Sequence, residues 1–309
     1  MNQAKGATYQ LGWIGTGRMG LAMADRLISA GHDFKVWNRT PSKALPLAGK
    51  GAMVAKGLSE LGSCEIVFMI VASHDEVDAV LFGEDGLLSG EDKPRIIVDF
   101  TSIGSDESAA VREKLIQLGI AFIASPVSGN AKVIHAGKLS IVASGPEEAY
   151  KEIEPYLHVI GRSVSYVGTG DLARIAKICH NVMLGVVTQN LSEILVLAEK
   201  SGLKRGDFLN FLNSSVMGSM FTRYKSPALT NLDFEVTFTP QLMLKDLDLG
   251  LSAARALGVP MPTTSTTRDQ VQSLIGHGYG DDFSQLLLLQ AAAAGLLLRS
   301  EETDVDDGL

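Results

Sequence analysis

Two groups of residues in this chain have the types and spacing that chemistry needs. Lys177 and Asn181 stand four residues apart in a long apolar stretch, so on a helix they share one face and can converge on one small ligand. A lysine partly desolvated on such a helix has a depressed pKa and can exchange a proton near neutral pH, the work of a general acid/base. The same lysine can instead lay its stem along the helix and keep its ammonium in water. The second group is Gly15-Thr16-Gly17-Arg18-Met19-Gly20. There Gly15 lets the chain turn sharply off a strand, Gly17 lets backbone approach a pyrophosphate, and Gly20 lets the following helix pack closely. Phosphates then sit on N–H groups at the helix N-terminus. A glycine-rich turn gives the same spacing by chance, so the flanking elements must decide.

Further along, where a dinucleotide fold that prefers NAD usually carries a carboxylate for the ribose, the chain reads Asn38-Arg39-Thr40. Arg39 can pair with a 2′-phosphate and stack on adenine, with Asn38, Thr40 and Lys43 as further donors, which points to NADP, with NAD possible. A solvated turn before Pro41 is the alternative. The loop from Ser125 to Asn130, with Ser128 and Gly129, is built of small residues whose N–H groups could cradle a carboxylate, or it is a simple turn.

The elements that position these residues follow from apolar periodicity. Leu11 to Ile14 reads as a strand, Met23, Ala24, Leu27 and Ile28 as the inner face of a helix that Gly31 stops, and Phe34 to Trp37 as the next strand. Strand, glycine turn, helix and strand are the context the turn requires. The alternation continues with strands at 53–55, 65–71 and 95–99, and with further strands near 120–123, 140–143 and 163–167; a helix at about 147–157 precedes the last. This predicts a doubly wound parallel sheet whose ligands bind beyond the carboxyl ends of the strands, at Val71-Ala72-Ser73 and at Asp99-Phe100-Thr101-Ser102. From Asp171 to about Lys200 one long apolar helix follows, carrying Lys177, His180, Asn181, Gln189 and Asn190, and from there to Leu298 the strong periodicities are helical. The expected fold is therefore α/β, an N-terminal Rossmann domain joined by a long helix to an all-α domain. Its expected divisions are residues 1–170, 171–300 and an acidic, frayed tail at 301–309.

Composition narrows the function classes. A net charge of -8 opposes nucleic acid and anionic membrane as partners. Cys64 and Cys179 make no metal or disulfide pattern and read as small buried hydrophobes, in keeping with a reducing cytoplasm. Residues before the first strand lack the apolar core of a signal peptide. The run from Leu286 to Leu298 is too short to span a bilayer and reads as a buried or subunit-contacting helix, and no transmembrane segment is expected.

With these residues placed, the chain resembles the β-hydroxyacid dehydrogenase family, which includes 3-hydroxyisobutyrate dehydrogenases, tartronate semialdehyde reductases and glyoxylate/succinic semialdehyde reductases. The resemblance rests on Gly15 to Gly20, Asn38-Arg39-Thr40, Pro126-Val127-Ser128-Gly129, Lys177-Ile178-Cys179-His180-Asn181 and Lys245-Asp246-Leu247-Asp248-Leu249, in the family's order. It implies an NADP-dependent oxidoreductase acting on a short hydroxy or aldehyde acid, and a homodimer or homotetramer. It implies Lys177 as general acid/base, Ser128 and Gly129 on the substrate carboxylate, Asn181 orienting the substrate, Phe238 lining the pocket, and Lys245 near the nicotinamide. Departures fall at Ala124, Asn130 and His180, where the family usually has aspartate, glycine and asparagine, and at Ser102, which replaces a threonine but keeps its hydroxyl at the cofactor. The first three touch the substrate loop and helix. Imine reductases share the architecture and the Asn-Arg-Thr signal but typically lack the lysine, so Lys177 favours a carbonyl or alcohol substrate. A cofactor-binding module without catalysis is the rival from another class.

Overall fold

The computed structural model describes residues 11–308; the segment on which the signal-peptide reading rests lies outside them. Strands β1 (Leu11–Ile14), β2 (Phe34–Trp37), β3 (Met53–Val54), β4 (Ile66–Met69), β5 (Ile96–Asp99) and β6 (Ala121–Ala124) form one sheet. The order is β3-β2-β1-β4-β5-β6 and every pairing is parallel. This is the doubly wound dinucleotide-binding order, with its reversal between β1 and β4. Every residue of β1, β4 and β5 is buried, as expected of strands covered on both faces, and their side chains divide with period two between two cores. Trp13, Phe68 and Val98 join one core with Met23 and Leu27 of helix α1 (Arg18–Ser29). Val67, Met69 and Ile97 join the other with Val77 and Leu81 of α3 (His74–Phe82) and Val111 and Leu115 of α4 (Ser105–Gln117). The short α2 (Leu45–Ala48) follows a 3₁₀ turn at Pro41–Ala44.

The later strands do not extend this sheet. β7 (Val127–Ser128) runs antiparallel to β8 (Ser140–Ala143), which pairs parallel with β9 (Ser163–Tyr166), making a separate three-stranded sheet. Helices α5 (Ala131–His135) and α6 (Glu147–Ile160) intervene. The loop expected from Ser125 to Asn130 is thus partly a strand, because Val127 and Ser128 find partners in Ile141 and Ser140.

The chain divides into two compact units, Met1–Lys177 and Ile178–Leu309. The second unit is helical: the greater part of α7 (Leu172–Lys200), then α8 (Arg205–Ser214), α9 (Met220–Asn231), α10 (Pro240–Ala256), α11 (Pro262–Gly276) and α12 (Leu286–Ala293). By length and composition α7 is apolar enough to cross a membrane, but 56% of its most apolar window is buried, as in a core helix. Three expectations are corrected. The apolar run at Leu286 is helical only to Ala293, because Gly295 adopts φ +63° and turns the chain. Cys64 is buried, and burial pushes its thiol up to about 11, but Cys179 is exposed on α7. The acidic tail is fixed at its start: Glu301 accepts from the backbone N–H groups of Arg205 and Gly206, at 2.8 and 3.2 Å, and Thr303 bonds Asn231. The carboxylate neutralises the free N–H groups and partial positive charge at the start of α8.

Candidate functional site

The glycine turn is fixed from below. The indole N–H of Trp13, fully buried, donates to the Gly15 carbonyl at 2.8 Å, and Gly15 N–H donates to the Trp37 carbonyl at 3.0 Å. Gly15 has φ +93°, and a Cβ there would lie 2.0 Å from the Ile70 oxygen; one on Gly20 would lie 2.2 Å from the Gly15 oxygen. Both positions exclude any other residue. A Cβ on Gly17 would meet nothing within 4 Å, so the backbone opens to space there. Gly17 also caps α1 without a side chain, so no capping side chain covers its first turn, and the buried Thr16 hydroxyl has no partner. These features fit the pyrophosphate of a dinucleotide.

A cleft of about 560 Å³ opens at this turn. It is lined by Gly15, Gly17, Arg18, Met19 and Gly20, by Asn38, Arg39 and Thr40 from the end of β2, and by Val71 and Ala72 from the end of β4. Predicted cofactor residues separated by more than 50 positions thus share one wall. Asn38 serves the loop itself, its Oδ1 accepting from Thr16 N–H at 2.8 Å and its Nδ2 donating to the Thr40 carbonyl at 2.9 Å. Arg39, 80% exposed, pairs with Glu76 at 2.9 Å. Glu76 is a cleft residue that sequence reasoning missed, although Ser73-x-x-Glu76 has the spacing of a helix-capping box.

At the carboxyl end of β5, Asp99 Oδ1 accepts from Thr101 N–H at 2.9 Å and the Thr101 hydroxyl accepts from Val71 N–H at 3.1 Å. Arg174, buried in the first turn of α7, joins this system by donating to Asp99 Oδ2 at 2.5 Å, to the Thr101 carbonyl, and to Ser108 Oγ at 3.2 Å. The adjacent Ser102 is half-buried. Half-buried Lys177 follows Arg174 by three residues on the same helix. The beginning of the lysine's helix is therefore tied to the Val71 wall of the cleft. Nothing in the sequence pairs Arg174 with Asp99, 75 residues earlier.

Ser128 and Gly129 lie at the end of β7; Gly129 has φ +137°, where a Cβ would strike Val133 at 2.8 Å. Asn130 caps α5, its Oδ1 accepting from Val133 N–H and its carbonyl from Ile134 N–H, both at 3.0 Å, so its side chain is engaged by the helix. The buried Ser125 hydroxyl nearby has no partner.

In the second unit Asn181 is buried, with its Nδ2 donating to Asp246 at 2.5 Å and its Oδ1 2.9 Å from the His180 ring. Lys245 lies 3.9 Å from Asp246. Phe238 packs edge-on against Phe283, and its N–H donates to Asp282 at 3.2 Å. Asp282 accepts from Lys225, Thr237 and Ser284 as well. Burial alone would push the Asp282 carboxyl up, but the Lys225 ammonium at 2.6 Å and the bonds from Ser284 outweigh it and hold the carboxyl below the ordinary carboxylate value.

Among the described residues no cluster of histidine, cysteine and carboxylate groups could hold a metal ion. Comparison with known proteins agrees with the dinucleotide geometry. Residues 10–168 match the family described as the NAD binding domain of 6-phosphogluconate dehydrogenase. Residues 170–290 match the NAD-binding family of NADP-dependent 3-hydroxyisobutyrate dehydrogenase. A probable 3-hydroxyisobutyrate dehydrogenase-like mitochondrial protein of Arabidopsis thaliana is 32% identical, over 91% of this chain and 84% of its own. The mitochondrial 3-hydroxyisobutyrate dehydrogenase of Drosophila melanogaster is 30% identical, over 91% and 89%. The crystal structure of a 3-hydroxyisobutyrate dehydrogenase from Salmonella typhimurium shares the fold with a TM-score of 0.80 at 24% identity, over 91% and 99%. The chain belongs to the β-hydroxyacid dehydrogenase family of NAD(P)-dependent oxidoreductases.

Proposed function

We propose that the protein is an NADP-dependent dehydrogenase/reductase that interconverts a short 3-hydroxy acid and its aldehyde acid, of the 3-hydroxyisobutyrate, glyoxylate or succinic semialdehyde type. The observation that carries this reading is the bonding of Arg174. It joins the start of the helix bearing Lys177 to loops at the edge of the dinucleotide cleft, at the carboxyl end of the sheet where such folds bind their ligands. Arg39, with no carboxylate among its sequence neighbours at the end of β2, supports NADP over NAD.

A bound nicotinamide supplies the hydride in the reductive direction and accepts it in the other. Lys177 gives a proton to the carbonyl oxygen as that oxygen gains the electron pair of the broken π bond, so its amine must be protonated before reduction and is neutral after it. In oxidation the neutral amine takes the hydroxyl proton. Ser128, Gly129 and Asn130 hold the substrate carboxylate, and the fixed backbone of Gly129 makes that cradle rigid. Asn181 orients the substrate, Phe238 lines its pocket, and Lys245 and Ser102 attend the cofactor, roles assigned through the family resemblance. Most of the rate then comes from positioning and from charge stabilisation by the ammonium.

The test is NADPH and NADH oxidation by the purified chain with glyoxylate, succinic semialdehyde, methylmalonate semialdehyde, tartronate semialdehyde and a cyclic imine. Turnover of an aldehyde acid, faster with NADPH, is expected. Lys177→Ala should lower kcat by about 10²–10⁴-fold with NADPH affinity unchanged, as removal of a general acid does; near-normal turnover would reject the role. Silence on every carbonyl with tight NADPH binding would point instead to imine reduction or a non-catalytic module. We place the enzyme in the cytoplasm, in keeping with its two free thiols, as a homodimer or homotetramer. The exposed Met183 and Leu197 of α7 support assembly, which light scattering would measure.

A further inference from the structure

The Glu76 carboxylate is held from two sides. Ala72 N–H donates to Oε2 at 3.0 Å and Arg39 Nη1 donates to Oε1 at 2.9 Å, while the Ser73 hydroxyl caps the Glu76 backbone N–H at 3.3 Å. Arg39 follows the end of β2 and Ala72 the end of β4, so the ion pair joins two segments that line the cleft. It occupies the guanidinium on which the 2′-phosphate reading depends. A 2′-phosphate must take that guanidinium from Glu76 or share it, and it brings its own negative charge up to a fixed carboxylate. A ribose 2′-hydroxyl meets the opposite situation. Asn38-Arg39-Thr40 offers it no carboxylate, and Glu76 supplies one beside Arg39 in the same cleft.

We propose that Glu76 is a specificity residue for the cofactor: it competes with the 2′-phosphate of NADP for Arg39 and accepts the ribose hydroxyl of NAD, so that the chain binds both. The proposal rests on Arg39 being the 2′-phosphate ligand. Glu76→Gln is the natural probe, because an amide oxygen can still accept from Ala72 N–H while the competing charge is gone. With Arg39 80% exposed and Glu76 half-buried at the cleft, the pair is a surface ion pair whose loss leaves the fold intact.

The experiment is calorimetric titration of NADPH and NADH into the full chain as wild type, Glu76→Gln, Arg39→Ala and the double variant, at low and high salt. Glu76→Gln should tighten NADPH about threefold to tenfold, the range of a rim charge freed for a ligand, and weaken NADH about twofold to fivefold. The NADPH gain should shrink at high salt and largely vanish in the Arg39→Ala background, where there is no guanidinium to release. Equal effects of Glu76→Gln on the two cofactors, or none, overturn the proposal. If Arg39→Ala shifts the NADPH to NADH ratio while Glu76→Gln does not, Glu76 alone loses its role. If Arg39→Ala leaves the ratio unchanged, the 2′-phosphate reading fails and Glu76 falls with it.

Discussion

Arg174 and Lys225 are buried cations, one in each unit, and each meets a buried aspartate, yet the polar networks around them are built from opposite ends. In the first unit the cation is the hub: the Arg174 fork donates to Asp99, to the Thr101 carbonyl and to Ser108, joining α7 to the end of β5 and to α4. In the second unit the anion is the hub. Asp282 accepts from Lys225, from the Thr237 backbone and hydroxyl, from Phe238 N–H and from the Ser284 backbone and hydroxyl. Each hub fixes a segment that carries a candidate site residue, Lys177 in one case and Phe238 in the other. The lesson is that a planar guanidinium suits the joining of carbonyl, hydroxyl and carboxylate acceptors, whereas a carboxylate suits the gathering of N–H and O–H donors.

The comparison can be broken by removing each hub. Arg174→Met should destabilise the chain by about 3–5 kcal/mol in denaturant titration, as loss of one partner of a buried pair does, and more than Asp99→Asn. Asp282→Ala should likewise cost more than Lys225→Met; the reverse order in either unit would undo the assignment of hubs. Acid tests the second hub. Because the folded Asp282 carboxyl lies below its ordinary value, its stabilisation is complete above that ordinary value and is lost as pH falls through the folded one. Thermal unfolding from pH 7 down to pH 3 should therefore show a shallower decline below about pH 4 in Asp282→Asn than in wild type. The smallest effect is expected of Thr237→Val, about 1 kcal/mol for the hydroxyl's bonds, read by the same denaturant titration.

What could be read from the sequence was whatever repeats locally. Burial on both faces makes β1, β4 and β5 continuous apolar runs, and the positions where Gly15 and Gly20 exclude a Cβ are written as glycine. The cleft wall from Gly15 to Ala72 followed from those two signals. The partners of the charged residues did not, because Arg174 with Asp99 and Lys225 with Asp282 are separated by 75 and 57 positions and no local pattern pairs them. Glu76 was hidden for another reason. Its spacing from Ser73 announces a helix cap, yet its carboxylate turns back to Ala72 and across to Arg39. Cys179 shows the limit of composition, since a cysteine in an apolar helix is buried or exposed according to the face it falls on.

Trp13, locked under the Gly15 carbonyl and stacked on Phe68 and Phe100 at 5.9 and 5.8 Å, has a companion in half-buried Trp37, which lines the cleft. These are the chain's two tryptophans, so its ultraviolet emission arises wholly from beneath and beside the dinucleotide turn. Tryptophan emission overlaps the absorption of a reduced nicotinamide, and energy transfer would dim both fluorophores when the cleft fills. A soluble collisional quencher would reach Trp37 and spare Trp13. The protein thus carries its own optical gauge of occupancy, one tryptophan shielded from solvent and one accessible, and needs no attached dye.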